Sequence, residues 1–447
     1  MAAPVNPSRL FTASCLALLV TSLTFAIRAK IEGVFNSEYN LTAEEIGWAF
    51  GPAFWGFTLA TFLGGVIIDV VKTHRIVWLA FTAHATGLVL LLFANDKITL
   101  FLANLVIGFG NGSVEAACNP LVATIYPNEK SRMLNRFHVW FPGGIVIGGL
   151  LAWVIVSQAG LSWQVLTSLL FIPLIIYGYL FYAQTIPETE RVTTGVTYRE
   201  MFRNLSAPVT ILLLVGGMIL AASVPSLNPD FNTNTPYIVF GIVVIAVIVE
   251  GRFINRVSLL FPLMLLAMFL TASTELGTNQ WINALLEGAG LDPILILVLV
   301  TGIMAVGRYY AGPLIHRLNP PGVLLGSAVL SVAGLYWLSV AAGPAMTLSA
   351  AVVFAIGICY FWPTMLGFVS EYVPGTGALG LSVMGGAGMV ATSMVLPIMG
   401  RSIDNAGPQA TLSFMTLLPV ILVVIFFFVN FLMRTKRDFT SQHKSHS

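Results

Sequence analysis

Runs of apolar residues long enough to cross a lipid bilayer recur from one end of this chain to the other, and no other feature limits the fold so sharply. A hydrocarbon layer about 30 Å thick takes roughly 20 residues of helix, because backbone groups there must satisfy their own hydrogen bonds. Residues 9–31, 45–69, 76–94, 98–122, 137–157 and 162–184 form a first group of such runs, and 257–283, 294–316, 322–342, 346–370, 377–399 and 411–433 a second. Two further apolar stretches, 207–224 and 236–251, lie between the groups, so about fourteen spans are expected. The chain is 9% charged, against about a quarter in soluble domains, and its runs lack the two-residue alternation of a β-barrel. An all-α polytopic membrane protein is therefore expected, with the first run a retained helix rather than a cleaved signal.

Basic residues fall mainly on one side. With the amino terminus cytoplasmic, Arg9, Lys72, Arg75, Lys130, Arg132, Arg136, Arg191 and Arg317 lie inside, and the outer loops hold little beyond Lys97 and Arg401. An even number of spans then puts both termini in the cytoplasm, and the plasma (inner) membrane is the expected location. The most polar inner segment, 186–206, divides the chain. Four parts result: a six-helix bundle at 1–185, a linker with two inserted helices at 186–256, a second six-helix bundle at 257–434, and a cytoplasmic tail at 435–447. Cys15, Cys118 and Cys359 sit in apolar runs, with neither disulfide nor metal-ligand spacing. A formal net charge of +2 gives no reason to expect nucleic acid, and the oligomeric state is left open. "GFGNG" at 108–112 is buried in a span with no strand before it, so no nucleotide or other cofactor is expected. The glycines of "GGIVIGG" and "GGAG" suit close helix contact.

Polar residues inside the spans carry the functional expectation. An acidic group at the bilayer centre costs about 2.5 to 3.5 kcal/mol, so its presence needs a partner or a wet chamber. Asn111, Glu115 and Asn119 are spaced four apart on one helix; Thr271, Glu275 and Asn279 repeat the design, followed by Gln280 and Trp281. Thr24, Arg28 and Glu32 form a third stripe, in which Arg28 and Glu32 are placed for an ion pair near the outer surface. Arg308, embedded in its span, is expected to be ion-paired, and Pro120 to loosen its helix. Asp69, Lys72 and Arg75 are expected to latch helices at the inner face.

The halves are weakly repeated. "GGVIIDVVKTHR" at 64–75 corresponds to "AGPLIHRLNPP" at 311–321, each with glycine, three residues, then Asp69 or His316 before basic residues. This layout resembles the major facilitator superfamily over nearly the whole chain. A narrower resemblance, to the fucose–proton symporter branch, is carried by "NGSVEAACNPL" (111–121), "LNRFHVWFPGG" (134–144) and "STELGTNQWI" (273–282). The resemblance implies two bundles rocking about a central site, with the three striped helices lining it. It further implies import of a small polar solute, a monosaccharide, with a proton; a sugar acid or other organic anion is the alternative, suggested by the local basic residues. A carboxylate that passes between dry and wet surroundings exchanges its proton with conformation. Glu115, Glu275 and His138 are accordingly the proton-coupling candidates, and Asn111, Asn119, Asn279, Gln280, Trp281, Arg28 and Glu32 the substrate-binding ones. A solute receptor of the same fold and a passive facilitator are the competing readings; no catalytic cluster points to an enzyme.

Overall fold

The computed structural model describes residues 5–39, 49–205, 210, 260–286 and 293–444. Its helices are α1 (Pro7–Tyr39), α2 (Pro52–Val71), α3 (Thr73–Leu92), α4 (Lys97–Ile125), α5 (Lys130–Phe137), α6 (Trp140–Ala152), α7 (Trp163–Ser168), α8 (Phe171–Phe181), α9 (Glu190–Thr194) and α10 (Tyr198–Asn204). After the linker come α11 (Leu260–Ala272), α12 (Ile282–Leu286), α13 (Pro293–Tyr309), α14 (Ala311–Val340), α15 (Pro344–Ile358), α16 (Phe361–Tyr372), α17 (Gly377–Ala406), α18 (Pro408–Met415) and α19 (Leu417–Lys444). Among the described residues there is no strand. Among the described residues eleven helical stretches are long and apolar enough to cross a membrane, and a shorter apolar helix, Ile296–Tyr309, stands where the eighth core run was expected. The stretches 207–224 and 236–251 of the fourteen-span expectation lie outside the described residues, apart from Thr210.

Several spans are interrupted where one continuous helix was expected. The fifth, expected from residue 137, is preceded by α5 and starts after a break at His138 and Val139, and the tenth breaks at Cys359 and Tyr360 between α15 and α16. Pro120, by contrast, is carried within α4, which continues to Ile125. α4 begins cleanly because Asp96 caps it, accepting from the amides of Ile98 at 2.7 Å and Thr99 at 2.9 Å. The Thr99 and Ile98 amides hold the Asp96 carboxyl below its usual range.

Packing is set by the glycines. α2 and α3 both lie along α4. A Cβ at Gly56 would strike the carbonyl oxygen of Leu105, one at Gly108 that of Ala53, and one at Gly112 that of Phe57. The "GFGNG" segment is thus the surface on which α2 meets α4 backbone to backbone, a close approach that only hydrogen at Cα permits. Gly112→Ala should force the helices apart and cost about 1–3 kcal/mol, read as a lower unfolding temperature in detergent.

Two backbone positions are strained in the same way. Lys72, between α2 and α3, has φ 76° and ψ 141°, and Asn319, which breaks the helical stretch Ala311–Val340, has φ 57° and ψ 162°. Each lies three residues after the paired Asp69 and His316, so the internal repeat extends to its turn geometry. Both side chains are exposed, and this backbone region suits glycine. Lys72→Gly and Asn319→Gly should therefore each stabilise the protein, by about 1–3 kcal/mol, in the same thermal measurement.

The halves meet face to face. α2 and α4 pack on α17, α5 on α16, and α6 on α13. At the end carrying the 186–205 segment they are tied together. Ser131 N donates to Glu371 Oε1 at 2.9 Å and Asn135 Nδ2 to Thr364 Oγ1 at 3.2 Å. Lys130 Nζ lies 2.8 Å from Glu190 Oε2 and also reaches the Ser370 carbonyl at 3.4 Å. Asp69, whose side chain is covered at this end, was expected to latch with Lys72 and Arg75, but its partners are Arg191 and Thr189, whereas Lys72 and Arg75 are exposed. The latch is thus built across sequence distance, from the second span to the linker.

Candidate functional site

Midway along the spans, four charged or titratable side chains converge. Glu115 on α4 is bonded to Asn119 one turn on, and Asn119 Oδ1 is 2.9 Å from His138 Nε2. His138 Nε2 is itself 3.9 Å from Glu115 Oε2. From the other half comes Arg308 of α13, which is 1% exposed. Its Nη2 donates to Glu275 Oε1 at 2.8 Å, its Nε to the Cys359 carbonyl at 2.7 Å, and its Nη1 to the His138 carbonyl at 3.2 Å. Glu115, His138, Phe141, Glu275, Leu276, Arg308, Trp362 and Met389 line a small cavity, with about 10 Å³ of space for a water-sized sphere.

Local sequence explains the arrangement. In a continuous helix the carbonyl of His138 would accept from residue 142, and that of Cys359 from residue 363. Both are proline, which has no amide hydrogen, so neither carbonyl has its helical i+4 donor where the spans break; that of His138 keeps a long bond from the Phe141 amide at 3.4 Å. Arg308 takes both. One guanidinium therefore ties a broken helix of each half to the carboxylate of the seventh span. It has five N–H donors, and these three bonds leave others for a ligand.

The expected stripes are brought together only in part. Glu115, Asn119, His138 and Glu275 meet as a group. Asn111, two turns before Asn119, instead joins a packing network: Oδ1 lies 2.9 Å from His84 Nε2, Nδ2 donates to Thr24 Oγ1 at 3.1 Å, and His84 Nδ1 reaches the Tyr177 hydroxyl at 3.2 Å. Each step of four overshoots a full turn by about 40°, so across two steps the stripe drifts away from the cavity. The other stripe is cut by a π-turn at Ser273–Gly277, which contains Glu275 and holds an extra residue, rotating the remainder of the helix by about 100°. Asn279 and Gln280 consequently lie outside the cavity, Gln280 exposed, and Trp281 Nε1 donates to the Leu396 carbonyl at 2.9 Å. Arg28 is buried on α1, with Nε donating to Asn104 Oδ1 at 3.0 Å; the side chain of Glu32, its expected partner, lies outside what the structure describes. Sequence reasoning missed Phe141, Trp362 and Met389 as cavity walls. The signal available for the first two was their place in the broken segments, His138 to Pro142 and Cys359 to Pro363.

Two packed helical groups meeting at a buried ionic cluster, with broken helices supplying backbone ligands, define a membrane carrier. The chain belongs to the Major Facilitator Superfamily, whose sequence pattern it matches over residues 10–378. It is thus an integral membrane protein of a family of transporters. It is 20% identical over 206 residues to a putative niacin/nicotinamide transporter, NiaP, of Bacillus subtilis (strain 168), a stretch covering 46% of this chain and 50% of that relative. Among solved structures it is similar to the human organic anion transporter MFSD10, with a TM-score of 0.67 at 15% identity over 95% of this chain and 100% of the other. The E. coli fucose:proton symporter superposes with a TM-score of 0.62 at 16% identity over 94% and 98%. At such identities the structural likeness speaks for the fold.

Proposed function

We propose that this chain imports a small organic anion, of the aromatic or aliphatic monocarboxylate class, together with a proton by alternating access. The observation that carries this reading is Arg308, a buried guanidinium lining the central cavity beside the Phe141 and Trp362 side chains. A guanidinium matches a carboxylate as a planar fork, and aromatic walls suit a ring or hydrocarbon body. The names of two similar proteins, a putative niacin/nicotinamide transporter and an organic anion transporter, include carboxylates of this class or anions in general. The neutral monosaccharide is less favoured, because Asn279, Gln280 and Trp281, the groups that suited a sugar, do not line this cavity.

Proton coupling follows from charge. An anion drawn to Arg308 enters a chamber already holding Glu115 and Glu275. Two negative charges about 5 Å apart repel by about 3 kcal/mol at an effective dielectric of about 20. Taking up a proton on Glu115 removes that cost, so anion and proton enter together, and His138 and Asn119 hold the acid in place. The anion displaces Arg308 from its backbone carbonyls, the halves rock, and the ties at the end bearing the 186–205 segment part. The basic residues gathered at that end, including Arg9, Lys130 and Arg132, support a cytoplasmic placing for it.

Uptake by proteoliposomes, acid outside, tests the reading with nicotinate set beside fucose, xylose and glucose and with protein-free vesicles as the baseline. Nicotinate should accumulate, and more steeply as the pH gradient grows. Accumulation of a sugar with no accumulation of nicotinate would overturn it.

A further inference from the structure

We propose that Arg28 forms a second carboxylate subsite, separate from the central cavity, where the transported anion waits before it passes to Arg308. This rests on the anion reading and adds a station to the route. Arg28 is 7% exposed, and its Nη2 is buried with no hydrogen-bond partner among the described residues. A buried charged donor left open in this way costs free energy unless something occupies it. The other side of the group is oriented. Nε donates to Asn104 Oδ1 at 3.0 Å, and Asn104 is in turn oriented by donating to the Leu100 carbonyl at 2.9 Å. The guanidinium carbon lies 4.9 Å from the centre of the Phe25 ring and 5.9 Å from that of Phe54. An oriented guanidinium with an open nitrogen over two aromatic rings repeats, on other helices, the chemistry of the central cavity: a cation for the carboxylate and apolar faces for the body.

Its position makes it a station rather than part of that cavity. Arg9, at the start of α1, bonds the carbonyls of Leu180 and Tyr179 beside the 186–205 segment, and Arg28 lies about 28 Å further along the same helix. On α4, Asn104 stands about 16 Å from Glu115 toward the opposite end. That end is the one away from the ties that hold the halves shut. The two sites are nonetheless in touch, because Phe25 packs edge-on against Phe141 at 5.4 Å, and Phe141 lines the central cavity. An anion leaving Arg28 thus has a continuous aromatic wall to track toward Arg308.

Equilibrium dialysis of the purified full-length protein against labelled nicotinate tests this, alongside proteoliposome uptake. Unmutated protein should bind a pair of nicotinate ions per chain at saturation; a single ion per chain would overturn the proposal without recourse to any variant. Arg28→Gln should bind a single ion and raise KM about tenfold while leaving kcat within about twofold, and Arg28→Lys should recover most of the KM. A purely structural role would lower kcat and thermal stability together and leave KM unmoved, which would also overturn it. If nicotinate is carried by the unmutated protein but Arg28→Gln has an unchanged KM, the subsite is wrong and the anion reading stands. If no carboxylate is carried at all, both fall.

Discussion

Arg308→Gln should abolish gradient-driven uptake and, in the same sample, lower the unfolding temperature. The stability loss comes from the groups the substitution leaves behind: Glu275, 2% exposed, loses the guanidinium 2.8 Å away. Breaking a buried pair from one side costs about 3–5 kcal/mol. The Cys359 carbonyl also loses its donor, with no amide at Pro363 to replace it, and the His138 carbonyl is left with the long bond from the Phe141 amide at 3.4 Å. Adding Glu275→Gln removes the orphaned carboxyl group, so the double variant should recover most of the stability while uptake stays absent. Recovery of uptake as well would mean that the pair only holds helices together, and that the anion reading has the wrong residue.

Glu115→Gln should separate coupling from movement. Glutamine keeps the size of the side chain and its bonding to Asn119, so the fold and the binding of anion at Arg308 should survive. The exchangeable proton alone is lost. One unit of pH gradient is worth about 1.4 kcal/mol, enough for about tenfold accumulation in a one-proton cycle. The variant should show no such accumulation, yet should still exchange labelled for unlabelled nicotinate across the membrane. Accumulation that still tracks the pH gradient would move the proton to another group, with Glu275 next in line.

The fold was largely legible because hydrophobic thickness is a length, and apolar runs can be measured against it. Membrane-length apolar helices occupy most of the expected core positions, and the repeat seen in "GGVIIDVVKTHR" and "AGPLIHRLNPP" reappears as two matched backbone turns at Lys72 and Asn319. The site was legible at Glu115, Glu275 and His138 because charge in a span is costly and must be answered by something nearby. Arg308 was expected to be paired, but its partners come from the fifth, seventh and tenth spans, and sequence spacing says nothing about which spans touch. Asn111 and Asn279 show the limit of counting in fours. The first drifts around an ordinary helix toward His84, and the second is turned aside by a local widening that propensity does not reveal. Asp69 shows a third limit, since the bases near it in sequence are exposed while Arg191 is near it in space.

The widened turn around Glu275 also governs how far this helix can be read across to other carriers. A π-turn accommodates one residue more than an α-turn while keeping the helix ends in place. A homologue lacking it would run one position out of step beyond Gly277, so that the counterpart of Asn279 by ungapped alignment would occupy a different wall. Roles assigned past that point by position number alone would be assigned to the wrong side of the helix.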